Sequence, residues 1–477
     1  EIGSGLVGSE MCIRDRKITH MAETLSALIK SCSDWLWGWP MVIILLGTHL
    51  FLTVRLRFPQ RKLFKAIRLS VQSDKSGQGD VSQFGALATA LAATIGTGNI
   101  VGVATAITLG GPGAVFWCWL TGVLGISTKY AEGLLAVKYR IRTPQGKMLG
   151  GPMYALERGM GMKWLAVLFC IFTVCASFGI GNLVQSNAIS MLCYETYRVP
   201  QALTGTAVAV CVALVVIFGV KGIARVCSAF VPLMAALYFL GCCYILWVNG
   251  GYVWDAVKLI VESAFRPEAA GGGFVGGSVI MTARYGIARG LFSNESGMGS
   301  APIVAAAAQT RNPVRQALVS STGTFWDTVV ICALTGLVLV SSILAYPDIS
   351  YADGPALTKV AFDKIPYLGA PLLTFGIVTF AFSTILGWCY YGEKAMEYLS
   401  GKRWTLVYRG VFIVGVFFGA ITQLAVVWNF ADLTNALMAL PNIVSLIGLS
   451  GIAAAETRKY LWEDRLDEEA DPEDNPM

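Results

Sequence analysis

The stretch Ala86-Leu-Ala-Thr-Ala-Leu-Ala-Ala-Thr-Ile-Gly96-Thr97-Gly98-Asn99-Ile-Val-Gly102-Val-Ala-Thr-Ala-Ile-Thr-Leu-Gly-Gly111 decides the fold. It carries no charge and is long enough to cross a bilayer, since about 20 residues at ~1.5 Å rise span a ~30 Å hydrocarbon core. Its middle holds Gly96 and Gly98, each weakening a helix by ~1 kcal/mol relative to alanine. Broken backbone at membrane depth is tolerated only where the freed amides and carbonyls line a cavity or meet a ligand. The break therefore reads as a binding site. The competing reading is a close helix contact of the small-xxx-small kind through Gly98 and Gly102. A dinucleotide fingerprint is excluded, because the spacing Gly96-x-Gly98-x-x-x-Gly102 is one residue too long and no strand precedes it.

Working outward, 55% hydrophobic residues, 14% charged residues and a mean hydropathy of +0.61 place the 477-residue chain among all-α polytopic membrane proteins. The net charge of +6 comes from loop lysines and arginines, so it speaks to topology and not to nucleic acid. The 12 cysteines mostly fall inside apolar runs and act as small hydrophobes. With two histidines, His20 and His49, and no paired-ligand spacing, no zinc site is expected.

Residues Glu1 to His20 read as a non-native or disordered leader ahead of a start at Met21. An extra transmembrane helix spans 35–54, opened by Trp35, Trp37 and Trp39 at the headgroup level. The basic stretch Arg55 to Arg68 interleaves apolar residues at helical spacing and reads as a surface helix. Gly77-Gln78-Gly79-Asp80 imitates an intramembrane aspartyl protease motif, but its setting is polar and reads as a turn.

Span three, Ala114 to Val137, places Lys129 and Glu132 on one helical face. Spans four to six follow to Val248. A second broken segment, Gly276 to Gln309, has the middle Gly290-Leu-Phe292-Ser293-Asn-Glu295-Ser296-Gly297-Met298-Gly-Ser300. Spans eight (Gln316 to Leu344), nine (Leu372 to Tyr391), ten (Leu406 to Val427) and eleven (Leu433 to Ala455) make eleven crossings before an acidic, disordered tail at 457–477.

The broken spans are the second and seventh. Two repeats of five spans, 83–248 and 274–456, thus each begin with a break, and an odd repeat inserts in the opposite sense. Such inverted repeats bring two discontinuous helices together near the midplane, where secondary transporters bind substrate. Basic loops on one side put the amino end outside and the carboxyl end in the cytoplasm.

Gly96-Thr-Gly-Asn-Ile-Val-Gly102, Gly150-Gly-Pro-Met-Tyr154, Arg289-Gly-Leu-Phe-Ser-Asn-Glu-Ser-Gly297 and Phe325-Trp-Asp-Thr328 resemble the alanine or glycine:cation symporter family from about Trp35 to Tyr460. The resemblance implies a leucine-transporter-type 5+5 core in spans two to eleven and sodium-coupled uptake of a small neutral amino acid. It also implies the inner membrane of a prokaryote. No cofactor, nucleic acid or obligate protein partner is expected beyond sodium, the amino acid and the bilayer. A zwitterion needs donors for its carboxylate and acceptors for its ammonium, which half-helix ends supply. Thr97, Gly98 and Asn99 are assigned to the carboxylate. The backbone around Phe292, Ser293, Ser296 and Gly297 is assigned to the ammonium, and Phe292, Met298 and Trp388 to the pocket walls, with Gln185 a weaker candidate. By similarity to the wider fold, carbonyls of Ala92 and Ile95 join Ser383 and Thr384 at one sodium site. Thr94 and Asn99 join oxygens of spans seven and eight at another. A helical Ser-Thr pair can instead bond its own turn.

Glu295 and Asp327 are membrane-depth carboxylates and functional candidates. Glu295 could satisfy freed amides of span two or handle a cation, and Asp327 could sit near the second cation or pair with Arg289. An intramembrane enzyme lacks a nucleophile with its base or an aspartate dyad, and a passive channel does not need two broken helices. A proton-coupled or other-substrate transporter of the same fold remains the sharper alternative.

Overall fold

The computed structural model describes residues 27–72, 77–266, 278–350, 354, 356–422 and 424–470. The leader at 1–20, Gly271 to Gly273 and the tail from 471 onward lie outside the described residues. What is described is a helical bundle whose only strand pairing among the described residues is a short ribbon, Ile141–Arg142 with Met148–Leu149, and two isolated bridges.

Span two begins at Gln83, where the Ser82 hydroxyl accepts the Gly85 amide at 3.0 Å and satisfies one of the free donors of the first turn. Its first half runs Gln83–Thr94 and stops because Ile95 turns extended, at ψ 93°. The chain then passes through a wide turn at Gly98–Gly102 into Val103–Gly110, bent by 52° from the first half. Span seven starts under a Ser278 cap, runs Val279–Asn294, and breaks at Glu295, Gly297 and Gly299, all at positive φ. It resumes only as Ala301–Ala305. The expected long second half to Gln309 is thus a single turn, because Ala307 to Thr310 leave the helix to pair with the entrance of span two. Asp80 donates to the Ala307 carbonyl and Gln309 to the Val81 carbonyl, both at 2.8 Å. The Gly77 to Asp80 turn lies in this junction. Arg140 stitches it, donating to Ala306 O at 3.1 Å, Ala308 O at 2.9 Å and Gln78 O at 3.0 Å. Burial pushes its guanidinium down to about 10, which leaves it charged at neutral pH.

Among the described residues seven helices are long and apolar enough to cross a membrane, or eight with the bent pair counted as one. The other three expected crossings fall short for physical reasons. Span three, Ala114–Lys138, carries Lys129 and Glu132; span five, Gln201–Val216, is short; and span seven is broken. The tenth and eleventh spans are re-bounded: Thr405–Ile421 ends at an extended Thr422, and the next helix, Leu424–Gly448, takes up residues assigned to span ten. A helix at Gly250–Phe265, outside the expected crossings, buries Ala256, Ile260 and Ala264. The basic stretch after span one is shorter than expected, a turn at Pro59–Lys62 and a helix at Leu63–Ser70.

Span one is tied to span three through polar groups. His49 Nδ1 meets Thr128 Oγ1 at 2.7 Å, and Thr53 donates to Ser127 at 2.9 Å. The disordered tail is a correction as far as residue 470. Ser450–Thr457 and the turn Arg458–Trp462 continue the bundle, Tyr460, Leu461 and Leu466 are buried, and Asp467 meets Arg315 at 2.7 Å. The acidic composition conceals three apolar anchors and basic partners elsewhere in the chain.

Candidate functional site

The two breaks face one another. Phe292 and the Ser293 backbone pack on the Gly98 backbone, where an added Cβ would lie 3.5 Å from the Phe292 ring. On the other side of the first break a Cβ at Gly96 would stand 2.7 Å from Thr384 Oγ1 and 3.5 Å from Gln185 Oε1. Only glycine permits that approach.

Thr384 Oγ1 lies 3.0 Å from Ala92 O and 3.4 Å from Ile95 O, and Ser383 Oγ 3.3 Å from Ala92 O. Both hydroxyls also lie 2.9 Å from Phe380 O, one turn back in span nine. Each hydroxyl has one proton. When it bonds Phe380, the lone pairs of both hydroxyls face the Ala92 and Ile95 carbonyls with no proton between, a repulsive cluster unless a cation sits there. A six-oxygen shell at ~2.4 Å bonds, the range for a cation of calcium's size, has edges of ~3.4 Å, which matches these separations. The donor set is neutral, hard and buried, and it fits sodium. The own-turn bonding foreseen for a Ser-Thr pair is present too, and the two arrangements are compatible.

Asp327 joins both breaks. Its Oδ1 accepts Asn99 Nδ2 at 2.7 Å; its Oδ2 accepts Ser293 Oγ at 3.1 Å and Thr328 Oγ1 at 2.7 Å. The Cys332 thiol lies 3.3 Å from Asn99 Nδ2 and 3.2 Å from Ser293 Oγ. Asn99 Oδ1 meanwhile accepts the freed Gly96 amide at 2.9 Å, so the Asn99 side chain bridges the break to Asp327. The pairing of Asp327 with Arg289 is corrected: Arg289 lies over the Phe292 ring at 5.9 Å and lines a vestibule of about 80 Å³ with Trp37, Phe292 and Asp432. The Thr94 hydroxyl, like those of Ser383 and Thr384, bonds its own turn, at 3.2 Å to Ala90 O and 3.4 Å to Leu91 O.

At the second break Glu295 does not reach span two. Its carboxylate accepts the Trp388 indole N–H at 3.2 Å and the Ser300 hydroxyl at 2.5 Å. Trp388 is thereby held over Gly181, where a Cβ would come 2.2 Å from its own, and Tyr391 packs edge-on to it at 5.7 Å. The freed ends of span seven are neutralised from span three. Lys129 Nζ donates to Glu295 O at 3.2 Å, while Glu132 Oε1 accepts the Gly297 and Gly299 amides at 3.0 Å and Asn442 Nδ2 at 2.7 Å. A cation on the carbonyl end and an anion on the amide end oppose the two half-helix dipoles. Glu132 thus takes the Gly297 and Gly299 amides of the second break, as Asn99 takes the Gly96 amide of the first. Ser296 shares a hydrogen bond with Thr324 at 3.1 Å, and Met298 is fully buried.

Several buried polar atoms have no partner among the described residues: Thr97 Oγ1, Gln185 Oε1, Tyr391 OH and both ends of the Asn435 amide. Each such atom costs ~1–3 kcal/mol, so the two at the first break, Thr97 Oγ1 and the Gln185 oxygen 3.5 Å from a Cβ at Gly96, mark where a polar ligand would be satisfied. Tyr391 and Asn435 were not singled out in the sequence. Tyr391 follows Trp388 by three residues, on the same helical face, and Asn435 precedes Asn442 by seven.

Residues 22–475 match the sodium:alanine symporter family. Over 442 residues the chain is 50% identical to an uncharacterized transporter of Haemophilus influenzae, covering 92% of this chain and 96% of that protein. It is 46% identical over 442 residues to the sodium/alanine symporter AgcS of Methanococcus maripaludis, covering 91% and 97%. Among solved structures it is similar to MhsT, crystallised with L-phenylalanine, at a TM-score of 0.51 and 15% identity over 80% of this chain and 98% of that one. That likeness gives the leucine-transporter fold.

Proposed function

The chain belongs to the sodium:alanine symporter family, and from that premise we propose that it imports a small neutral amino acid, alanine or glycine, with sodium by alternating access. It is a transporter and not an enzyme. The observation that carries the coupling is the convergence of Ala92 O, Ile95 O, Ser383 Oγ and Thr384 Oγ1 across the first break. A sodium ion here holds span two to span nine. The substrate carboxylate takes the amides at Thr97 and Gly98 beside the Thr97 hydroxyl, and the ammonium takes carbonyls of the second break near Phe292 and Ser293. Phe292 separates this point from the Arg289 vestibule, and Trp388 and Met298 bound the side-chain space.

Asp327, held by Asn99, Ser293 and Thr328, is the acidic group of a second cation site. Its carboxylate also favours a second reading in which a proton takes that place. The setting is a prokaryotic inner membrane, with the amino end outside and the tail in the cytoplasm; a cysteine placed within 55–68 should label only from the cytoplasmic side. Uptake of labelled alanine into proteoliposomes, with and without an imposed sodium gradient, tests the proposal. Accumulation driven by sodium supports it, and accumulation driven equally by a proton gradient alone selects the second reading.

A further inference from the structure

A cavity of about 320 Å³ opens between the end of span one and the last helix, away from both breaks. Arg55, Arg57, Arg458 and Trp462 line it over the small residues Gly451 and Ala455. Span one stops here because Arg57 and Phe58 both adopt φ 61°, a left-handed conformation that side chains rarely take. Opposite, the Trp462 indole donates to Leu56 O at 3.4 Å. A Cβ at Gly451 would lie 3.9 Å from Arg55 Nη2, so the guanidinium lies along the last helix.

Among the described residues no carboxylate pairs with any of the three arginines. Of the nearby acids, Asp464 meets Lys65 at 3.0 Å and Glu456 Oε1 meets Lys138 at 2.7 Å, while Glu463 is exposed. Three exposed guanidiniums around one cavity make it a favourable place for an anion. Directly beside them the surface is apolar and exposed, at Phe51 and Val54 of span one and at Val444 and Ile447 near the end of the helix Leu424–Gly448. An anion with acyl chains satisfies both surfaces at once.

We propose that this cavity binds the phosphodiester headgroup of an anionic glycerophospholipid. The arginines grip the phosphate, for which the planar guanidinium fork is suited. Trp462 sits at headgroup level, and the acyl chains run along Phe51, Val54 and Ile447. The bound lipid clasps the extra first helix to the end of the last one.

The test uses the full-length protein, delipidated in detergent, with binding read by native mass spectrometry and thermal unfolding. The probes are phosphatidylglycerol, phosphatidylcholine and soluble glycerol phosphate. Phosphatidylglycerol should bind more tightly than phosphatidylcholine and raise the unfolding temperature. The triple variant Arg55→Gln, Arg57→Gln, Arg458→Gln should lose on the order of a hundredfold in that affinity, about fivefold per arginine. Ala455→Trp, which fills the cavity and keeps the charges, should lose the preference too. Lys402→Gln with Arg403→Gln, basic residues elsewhere, should keep it. Equal binding of the two lipids, retained preference in the triple variant, or an equal thermal shift from glycerol phosphate alone would overturn the proposal.

Discussion

Replacing Glu132 by glutamine tests whether the second break is held by charge. The isostere keeps an oxygen where Oε1 accepts Gly297, Gly299 and Asn442, so shape and bond count survive. What changes is charge. Hydrogen bonds to a charged acceptor are worth ~1.5–3 kcal/mol against ~0.5–1.5 for neutral ones, so three bonds lose together ~3 kcal/mol. Lys129 Nζ, 4.0 Å from Glu132 Oε2, loses its nearest carboxylate and keeps only the more distant carboxyl groups of Glu295 and Asp327; breaking a buried pair costs ~3–5 kcal/mol, and those groups hold the loss toward the lower end. Glu132→Gln should therefore lower the unfolding temperature in detergent sharply and cut uptake. Adding Lys129→Met removes the stranded charge at the expense of one orphaned carbonyl at Glu295, ~1–3 kcal/mol. The double variant should thus be more stable than Glu132→Gln alone. Thermal unfolding by intrinsic fluorescence, run beside proteoliposome uptake, measures both. If Glu132→Gln matches the wild type, or if the double variant is less stable than the single, the charges do not hold the break.

Thr384→Ala should raise the sodium concentration for half-maximal uptake about tenfold, the value of ~1.4 kcal/mol at one lost ligand, while Thr384→Ser stays near wild type; unchanged sodium dependence in Thr384→Ala removes that hydroxyl from the site. Gly96→Ala puts a Cβ 2.7 Å from Thr384 Oγ1, whereas Gly102→Ala meets nothing within 4 Å, so only the first should weaken sodium activation. Trp388→Leu should admit leucine or methionine as competitors, at ~0.8 kcal/mol per newly buried methylene, and weaken alanine by lost packing and by freeing Glu295 from its indole donor. Continued exclusion of leucine by a folded Trp388→Leu protein shows that Trp388 is not a pocket wall.

The first break was legible because its cause is local: Gly96 and Gly98 in an uncharged run destabilise the helix wherever it packs. The oxygen set of Ala92, Ile95, Ser383 and Thr384 was reachable only through the family resemblance, since nothing in either segment names the other. Lys129 and Glu132 stood out as charges in an apolar run, but their work at Glu295, Gly297 and Gly299 did not, those residues lying more than 160 positions on. The role of Glu295 stayed open between alternatives for the same reason. The tail misled by composition, because its acids outnumber the three apolar residues that dock it.

The sequence alone determined that the chain lives in a bilayer, that two of its crossings break, and that carboxylates lie at membrane depth. Hydropathy, glycine placement and charge are properties of a residue and its nearest neighbours along the chain. Tertiary structure alone decided which group each freed end meets: Glu132 for the amides of span seven, Asn99 for the amide of Gly96, Trp388 for Glu295. Periodicity fixes which side chains share a helix face, but the partner across the interface depends on the rotation and depth of each helix, and those are set by close packing against every neighbour at once.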